Sequence, residues 1–433
     1  LFKTNIVSVP GQNNWEPLKG SGTTKPTLKN IFKFNALKDE IQDIMSCLYH
    51  PEEELELELD EGFRGRPSIG SAAILSRIHE NEPFWQTIFN SIDSAKQGHE
   101  VRIFLVSSIF GGQGASGFPS IARLIRKILE KKGIKEGVYI GGALMLPYFS
   151  FPKPPENEAG LFAYSDSFLE QTRGALDYYG RLFDEKNYQK TFDQLYVVGW
   201  DPLIQLKTFA KGGPNQNNPA LLPEIFPSLA ASKFYEDKVI DEGIFYIAKN
   251  ENDSFSWNDL PSINLNNKNN VKKLFSQLTR TAIAFREIYY PNLTPDKWRS
   301  VKRESWMRNL LTKQGVNLDN EDTAINLIAL KKYFESYLEW LATMIHQSNE
   351  FTDNNINLID VNQYSQFDDS LQGEGVKLFD QLNNQQLKQF GKIIADSKLG
   401  NLSSVFLRMN YSRVPKNRSG MGAFVGALYD ACR

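Results

Sequence analysis

In this 433-residue chain, the segment that most directly implies chemistry is Gly111-Gly112-Gln113-Gly114-Ala115-Ser116-Gly117. Glycines permit positive φ angles and close backbone approach, so several N–H groups can converge on one anion. A helix starting there adds its dipole, and phosphates can be held without a basic side chain. No Gly-Lys-Ser/Thr follows, so the loop is not of the Walker type. Gly112 to Gly117 fits Gly-x-Gly-x-x-Gly, yet no acidic residue ends the next strand where a dinucleotide fold needs one. Nor does a lysine stand four residues after Tyr164, Tyr178 or Tyr179, so a nicotinamide oxidoreductase is the weaker reading.

Upstream lies a second loop, Gly62-Phe63-Arg64-Gly65-Arg66-Pro67-Ser68-Ile69-Gly70. Its arginines could grip phosphate in bidentate fashion, and Pro67 and Ser68 suit the start of a helix. Other reactive types are sparse. His50, His79, His99 and His346 form no i,i+4 pair, and neither Gly-x-Ser-x-Gly nor His-Glu-x-x-His occurs. Ser150-Phe151-Pro152-Lys153 has Ser-x-x-Lys spacing, but in a proline-rich loop that does not pair the side chains. Arg413, Lys416 and Arg418 read as a solvated basic turn. Cys47 and Cys432 lack CxxC spacing and are expected to be two buried free thiols. No metal-ligating cluster is expected.

Positioning these loops requires strands and helices. Val101–Ser107 is a mostly apolar run that suits a buried parallel strand, and it leads directly into the glycine loop. An amphipathic helix follows over Pro119–Lys132, then a strand over Val138–Leu146, a helix over Ala163–Phe183 and a strand over Leu195–Gly199. This alternation is the rhythm of a doubly wound α/β sheet. Before it, Leu37, Ile41, Ile44, Met45 and Leu48 share one helical face, and Ala72–Phe89 is helical in pattern. Glu54–Asp60 alternates acid and leucine, which reads as a solvated stretch or edge strand. Beyond Tyr235 helices are expected over Val271–Tyr289, Ala324–His346 and Gly375–Ala395, with a strand over Ser403–Met409 and a terminal segment over Gly420–Cys432.

Composition bounds the partners. Lysine plus arginine total 49 against 51 acids, a net charge of −2, so no basic field is available for nucleic acid or an anionic membrane. Hydrophobic residues at 41% and charged residues at 23% describe a globular chain. The longest apolar run, Val138–Phe149, is short and broken by glycine, so a soluble protein with a cytoplasmic address is expected.

The order of the two loops, Gly-x-x-Gly-x-Pro-x-x-Gly, helix, buried strand, then Gly-Gly-x-Gly-x-x-Gly opening a helix, resembles the nucleotide-binding domain of the tubulin and FtsZ superfamily across roughly residues 55–235. The resemblance implies an α/β nucleotide-binding domain over residues 1–235, with a mostly parallel sheet flanked by helices and the start of a central helix. A helix-rich α+β assembly domain would follow over residues 236–433. It implies GTP or GDP with Mg²⁺, ATP being the alternative, held by Gly111, Gly112, Gln113, Gly114, Ala115, Ser116 and Gly117, with Gly65, Arg66 and Pro67 near the terminal phosphate. Pro147–Gly160 would lie near the ribose, and Asn217 and Asn218 would meet the base at the start of the central helix. Pro223 and Pro227 imply that this helix starts late or is kinked. The family's catalytic carboxylate follows that helix. Here the stretch Glu236–Pro261 lacks the family's Asn-x-Asp pattern and offers Asp253 and Asp259. Self-association into a homo-oligomer or filament with slow, assembly-dependent hydrolysis is the implied activity; a non-hydrolysing scaffold or sensor recruiting a partner protein is the alternative. Residues 1–54 do not match the family's first strand and loop; the resemblance implies that this pair lies upstream of Leu1 if the sequence is a piece of a longer chain, and that the nucleotide site is compromised otherwise.

Overall fold

A computed structural model describes residues 27–59, 63–77, 83–153, 163–182, 190–206, 221–250, 252–256, 259–260, 271–350, 356–357 and 402–433. The chain divides into two compact units, Leu1–Asn218 with Pro223–Glu251, and Pro219–Leu222 with Asn252–Arg433.

The first unit is built on a four-stranded parallel sheet in the order β1 (Val101–Ser108), β2 (Val138–Met145), β4 (Gln194–Trp200), β6 (Gly243–Lys249). Ser108 pairs with Met145, Met145 with Val198, and Val198 with Ile247, so the carboxyl ends of the strands form one edge. Beyond it, β3 (Phe149–Ser150) and β5 (Ile204–Gln205) pair in parallel. The helices are α1 (Leu28–Ile31), α2 (Asp39–Leu48), α3 (Pro67–Arg77), α4 (Pro83–Ala95), α5 (Gly112–Lys131), α6 (Phe168–Leu182) and α7 (Ile225–Glu236). Helices pack on both faces because β2 carries adjacent glycines. A Cβ at Gly141 would stand 2.8 Å from the Phe234 ring of α7, and one at Gly142 2.8 Å from the Phe118 ring of α5. An aromatic from each layer thus rests on bare backbone.

Several expectations change here. The helical pattern over Ala72–Phe89 is carried by α3 and α4, residues 78–82 lying outside the described set. The acid–leucine alternation is not solvated: Leu55, Leu57 and Leu59 are buried with Leu28, Phe63 and Ile69, while Glu54 and Glu56 pair outward with Arg66 and Lys29. Period two is kept, with one face in the core. The stretch Glu236–Pro261, expected after the central helix as the place of the catalytic carboxylate, contains β6, which continues the first sheet beside β4. Pro227 does not kink α7. It is the third residue of the helix, where the N–H has no intrahelical partner to lose.

The second unit is largely helical: α8 (Val271–Ala284) continuing into a π turn at Phe285–Tyr289, α9 (Ser305–Leu310), α10 (Glu321–Glu350), α11 (Leu402–Tyr411) and α12 (Gly420–Ala431), with short parallel strands β7 (Phe255–Ser256) and β8 (Ile356–Asn357). The strand expected over Ser403–Met409 is helix α11. Val405 and Met409 are buried four residues apart while Leu407 is exposed, a helical period that a short apolar run does not disclose. Tyr289, Trp306 and Phe424 form its aromatic centre, with the Tyr289 and Trp306 rings edge to face at 4.9 Å. The helix expected over Gly375–Ala395 lies outside the described residues. Cys432 is buried, but Cys47 is exposed, against expectation.

Candidate functional site

The glycine segment follows the carboxyl end of β1 with Gly111 as the N-cap of α5, and Gly112–Gly117, expected as a loop before a helix starting at Pro119, are already the first six residues of that helix. Gly111 makes no side-chain cap, and this end of the helix carries the positive pole of its dipole. Gly114 is required by close approach, since a Cβ there would stand 2.6 Å from the Ser108 carbonyl oxygen. Gly117 is different: a Cβ would meet Ile74 Cδ1 at 3.5 Å, an ordinary contact.

The two loops singled out from the sequence come together. A Cβ at Gly112 would lie 3.1 Å from the backbone nitrogens of Gly65 and Arg66. Further along, Gly70 faces the Gly112 carbonyl, and Gly117 faces Ile74. The contacts advance in the same direction on both chains, so α3 and α5 run parallel with their N-termini side by side. Their dipoles add at that end. Gly65 reaches this position with φ +75, a left-handed conformation natural to glycine.

Side chains play parts other than those expected. Ser116 is buried, and its hydroxyl donates to the Gly112 and Gln113 carbonyls at 2.7 and 3.0 Å, bracing the turn from within. Arg66 Nε donates to Glu54 Oε1 at 3.0 Å. Pro119 sits inside α5, where its missing N–H leaves the Ala115 carbonyl without a helical donor. Tyr179 of α6 donates its buried hydroxyl to that carbonyl at 2.5 Å, and burial pushes the phenol pKa up.

The loop is also anchored from the β2 side. Phe110, the residue before Gly111, packs on Tyr148, Phe149 and Phe168 at centroid distances of 5.8, 5.4 and 4.8 Å. Tyr148 in turn donates to Glu224 Oε1 at 2.9 Å, at the N-cap of α7. Burial first, and the Glu224 carboxylate second, raise the Tyr148 pKa. Sequence reasoning missed Tyr148, Tyr179 and Glu224, because no motif marks them; the proline inside the helix after a glycine loop was the one available signal for a missing donor. Along the sheet, β1 to β4 spans two strand spacings, about 10 Å. A crevice at the carboxyl ends of parallel strands is the usual ligand position of such folds.

Asp253 and Asp259 belong to the second unit. Asp259 Oδ2 accepts from the Ser256 backbone N–H at 2.7 Å and its hydroxyl at 2.8 Å, bracing its own turn. Asn217 and Asn218 lie outside the described residues. Among the described residues no group of three or more His, Cys, Asp or Glu side chains is placed to hold a metal ion, and no helix is long and apolar enough to cross a membrane. Compared with known proteins, the chain matches no family model, no curated protein and no solved structure.

Proposed function

We propose that this chain is a nucleotide-binding protein of the tubulin and FtsZ kind. It would bind GTP or GDP and self-associate, with slow, assembly-dependent GTPase activity. The observation that carries the reading is the convergence of Gly111–Gly117 with Gly65–Pro67 at two parallel helix N-termini, uncapped by a side chain on α5. Such an arrangement favours a phosphate chain through backbone N–H groups and dipoles rather than through a lysine. Mg²⁺ would arrive on the phosphate oxygens with much of its water shell, as this ion usually does, and would neutralise charge there. Catalysis would be positioning and charge stabilisation, with no covalent intermediate.

Asp253 and Asp259 are the carboxylates assigned to hydrolysis, supplied to a neighbouring subunit. The second reading, a nucleotide-bound scaffold or sensor without turnover, is favoured by Asp259 being engaged with Ser256.

The test is one preparation of the chain, denatured to release and identify bound nucleotide, with phosphate release from GTP and ATP followed against protein concentration. Turnover rising faster than linearly with concentration supports a site shared between subunits. Bound nucleotide without turnover selects the scaffold, and no affinity for any nucleotide overturns both.

A further inference from the structure

The apolar stripe of α2 is exposed among the described residues. Met45 packs into the core of the first unit and Tyr49, just past the helix end, does the same, yet Ile41, Ile44 and Leu48 are 43, 60 and 66% exposed. Their i, i+3, i+7 spacing makes them a single continuous stripe on one side of the helix. Along its outer edge run Glu40 and Asp43, and beyond the helix end stand exposed Glu52 and Glu53, against Lys38 as the neighbouring cation on α2's own approach. Of the other cations near this corner, Lys29 and Arg66 are already paired with Glu56 and Glu54, and Lys33 is exposed, so the carboxylates Asp39, Glu40, Asp43, Glu52 and Glu53 outnumber the exposed lysines Lys33 and Lys38.

An exposed apolar stripe with a rim of one charge marks an interaction surface, and the rim selects the partner. Anionic lipid and nucleic acid are repelled by these carboxylates. Two copies meeting through the same stripe would oppose like charges across it. We infer that α2 is a docking site for a basic amphipathic helix of another protein, its leucine-type residues laid on Ile41, Ile44 and Leu48 and its lysines or arginines against Glu40, Asp43 and Glu52. This is the helix-to-helix mode of recognition read from i, i+3 and i+7 anchors. The inference does not depend on nucleotide binding.

The test titrates two fluorescent synthetic peptides into the full chain, both helical with leucines at i, i+3, i+4 and i+7, one flanked by lysine and the other by glutamate. The lysine peptide should bind at least tenfold tighter and weaken with salt. Ile44→Asp, at an exposed position, should reduce that binding at least tenfold with an unchanged melting curve, and nucleotide affinity measured on the same sample should not move. The double variant Glu40→Lys with Asp43→Lys should reverse the preference towards the glutamate peptide. Equal binding of both peptides, or full binding by Ile44→Asp, overturns the proposal. So does a concentration-dependent mass in sedimentation that Ile44→Asp abolishes, which would assign the stripe to a second copy of the chain.

Discussion

A methyl group separates two glycines of the same loop in their consequences. At Gly114 an added Cβ runs into backbone and a serine at the end of β1, and those atoms cannot yield without moving the strand. Gly114→Ala should therefore cost about 1–3 kcal/mol of stability and lower nucleotide affinity, whereas Gly117→Ala should change neither beyond about twofold. Equilibrium unfolding and nucleotide titration on both variants check this, and equal losses would refute the assignment of the close approach to Gly114. Tyr179→Phe keeps the ring but removes the donor that replaces Pro119's missing N–H, leaving the Ala115 carbonyl buried and unpaired. The expected loss is about 1–3 kcal/mol at constant denaturant slope, measured by urea midpoint.

At the scale of elements, the end of α12 is held by side chains from other helices. Gln277 of α8 donates to the Tyr429 carbonyl at 2.6 Å, Arg280 to that of Cys432 at 3.0 Å, and Arg408 of α11 to those of Ala431 and Arg433 at 3.1 and 2.8 Å. These donors satisfy the last carbonyls and complement the negative end of the dipole. The Cys432 thiol is enclosed with them, and burial raises its pKa from 9.0 to about 11. Between those two values the unfolded chain loses this proton and the folded chain keeps it. The thiol's contribution is therefore complete below pH 9 and declines up to about pH 11, by roughly 2–3 kcal/mol in all. Cys432→Ala should flatten the fall in unfolding free energy from pH 8 to pH 10.5; an unchanged slope would remove the thiol as its source.

For the whole molecule, the proposed function divides into an enzyme completed by assembly and a scaffold. Asp259→Ala should slow phosphate release at high protein concentration while leaving nucleotide affinity as it was. A lowered melting temperature with full turnover would instead show that the carboxylate only braces the Ser256 turn. How much of this was legible differs from place to place. The strand and the need for glycine after it were readable because a buried parallel strand is continuously apolar and close backbone approach needs glycine, but the helix expected from Pro119 starts at Gly112, because glycines that pack closely are admitted to a helix that local propensity would exclude them from. Period two over Glu54–Asp60 was readable as well, but not that its leucines face a core, since burial depends on α1 and α3 arriving there. The same limit applies to α2, where the amphipathic face was evident and the exposure of Ile41, Ile44 and Leu48 was not. Local sequence by itself determined where the two glycine-rich segments lie, the alternation of strand and helix, and a net charge of −2. Only the tertiary structure decided that Gly65–Pro67 meets Gly112, that α3 and α5 run parallel, that β6 joins the sheet, and that Tyr179 supplies the donor Pro119 lacks. Each of these joins residues far apart in the chain, and chain spacing carries no record of such meetings.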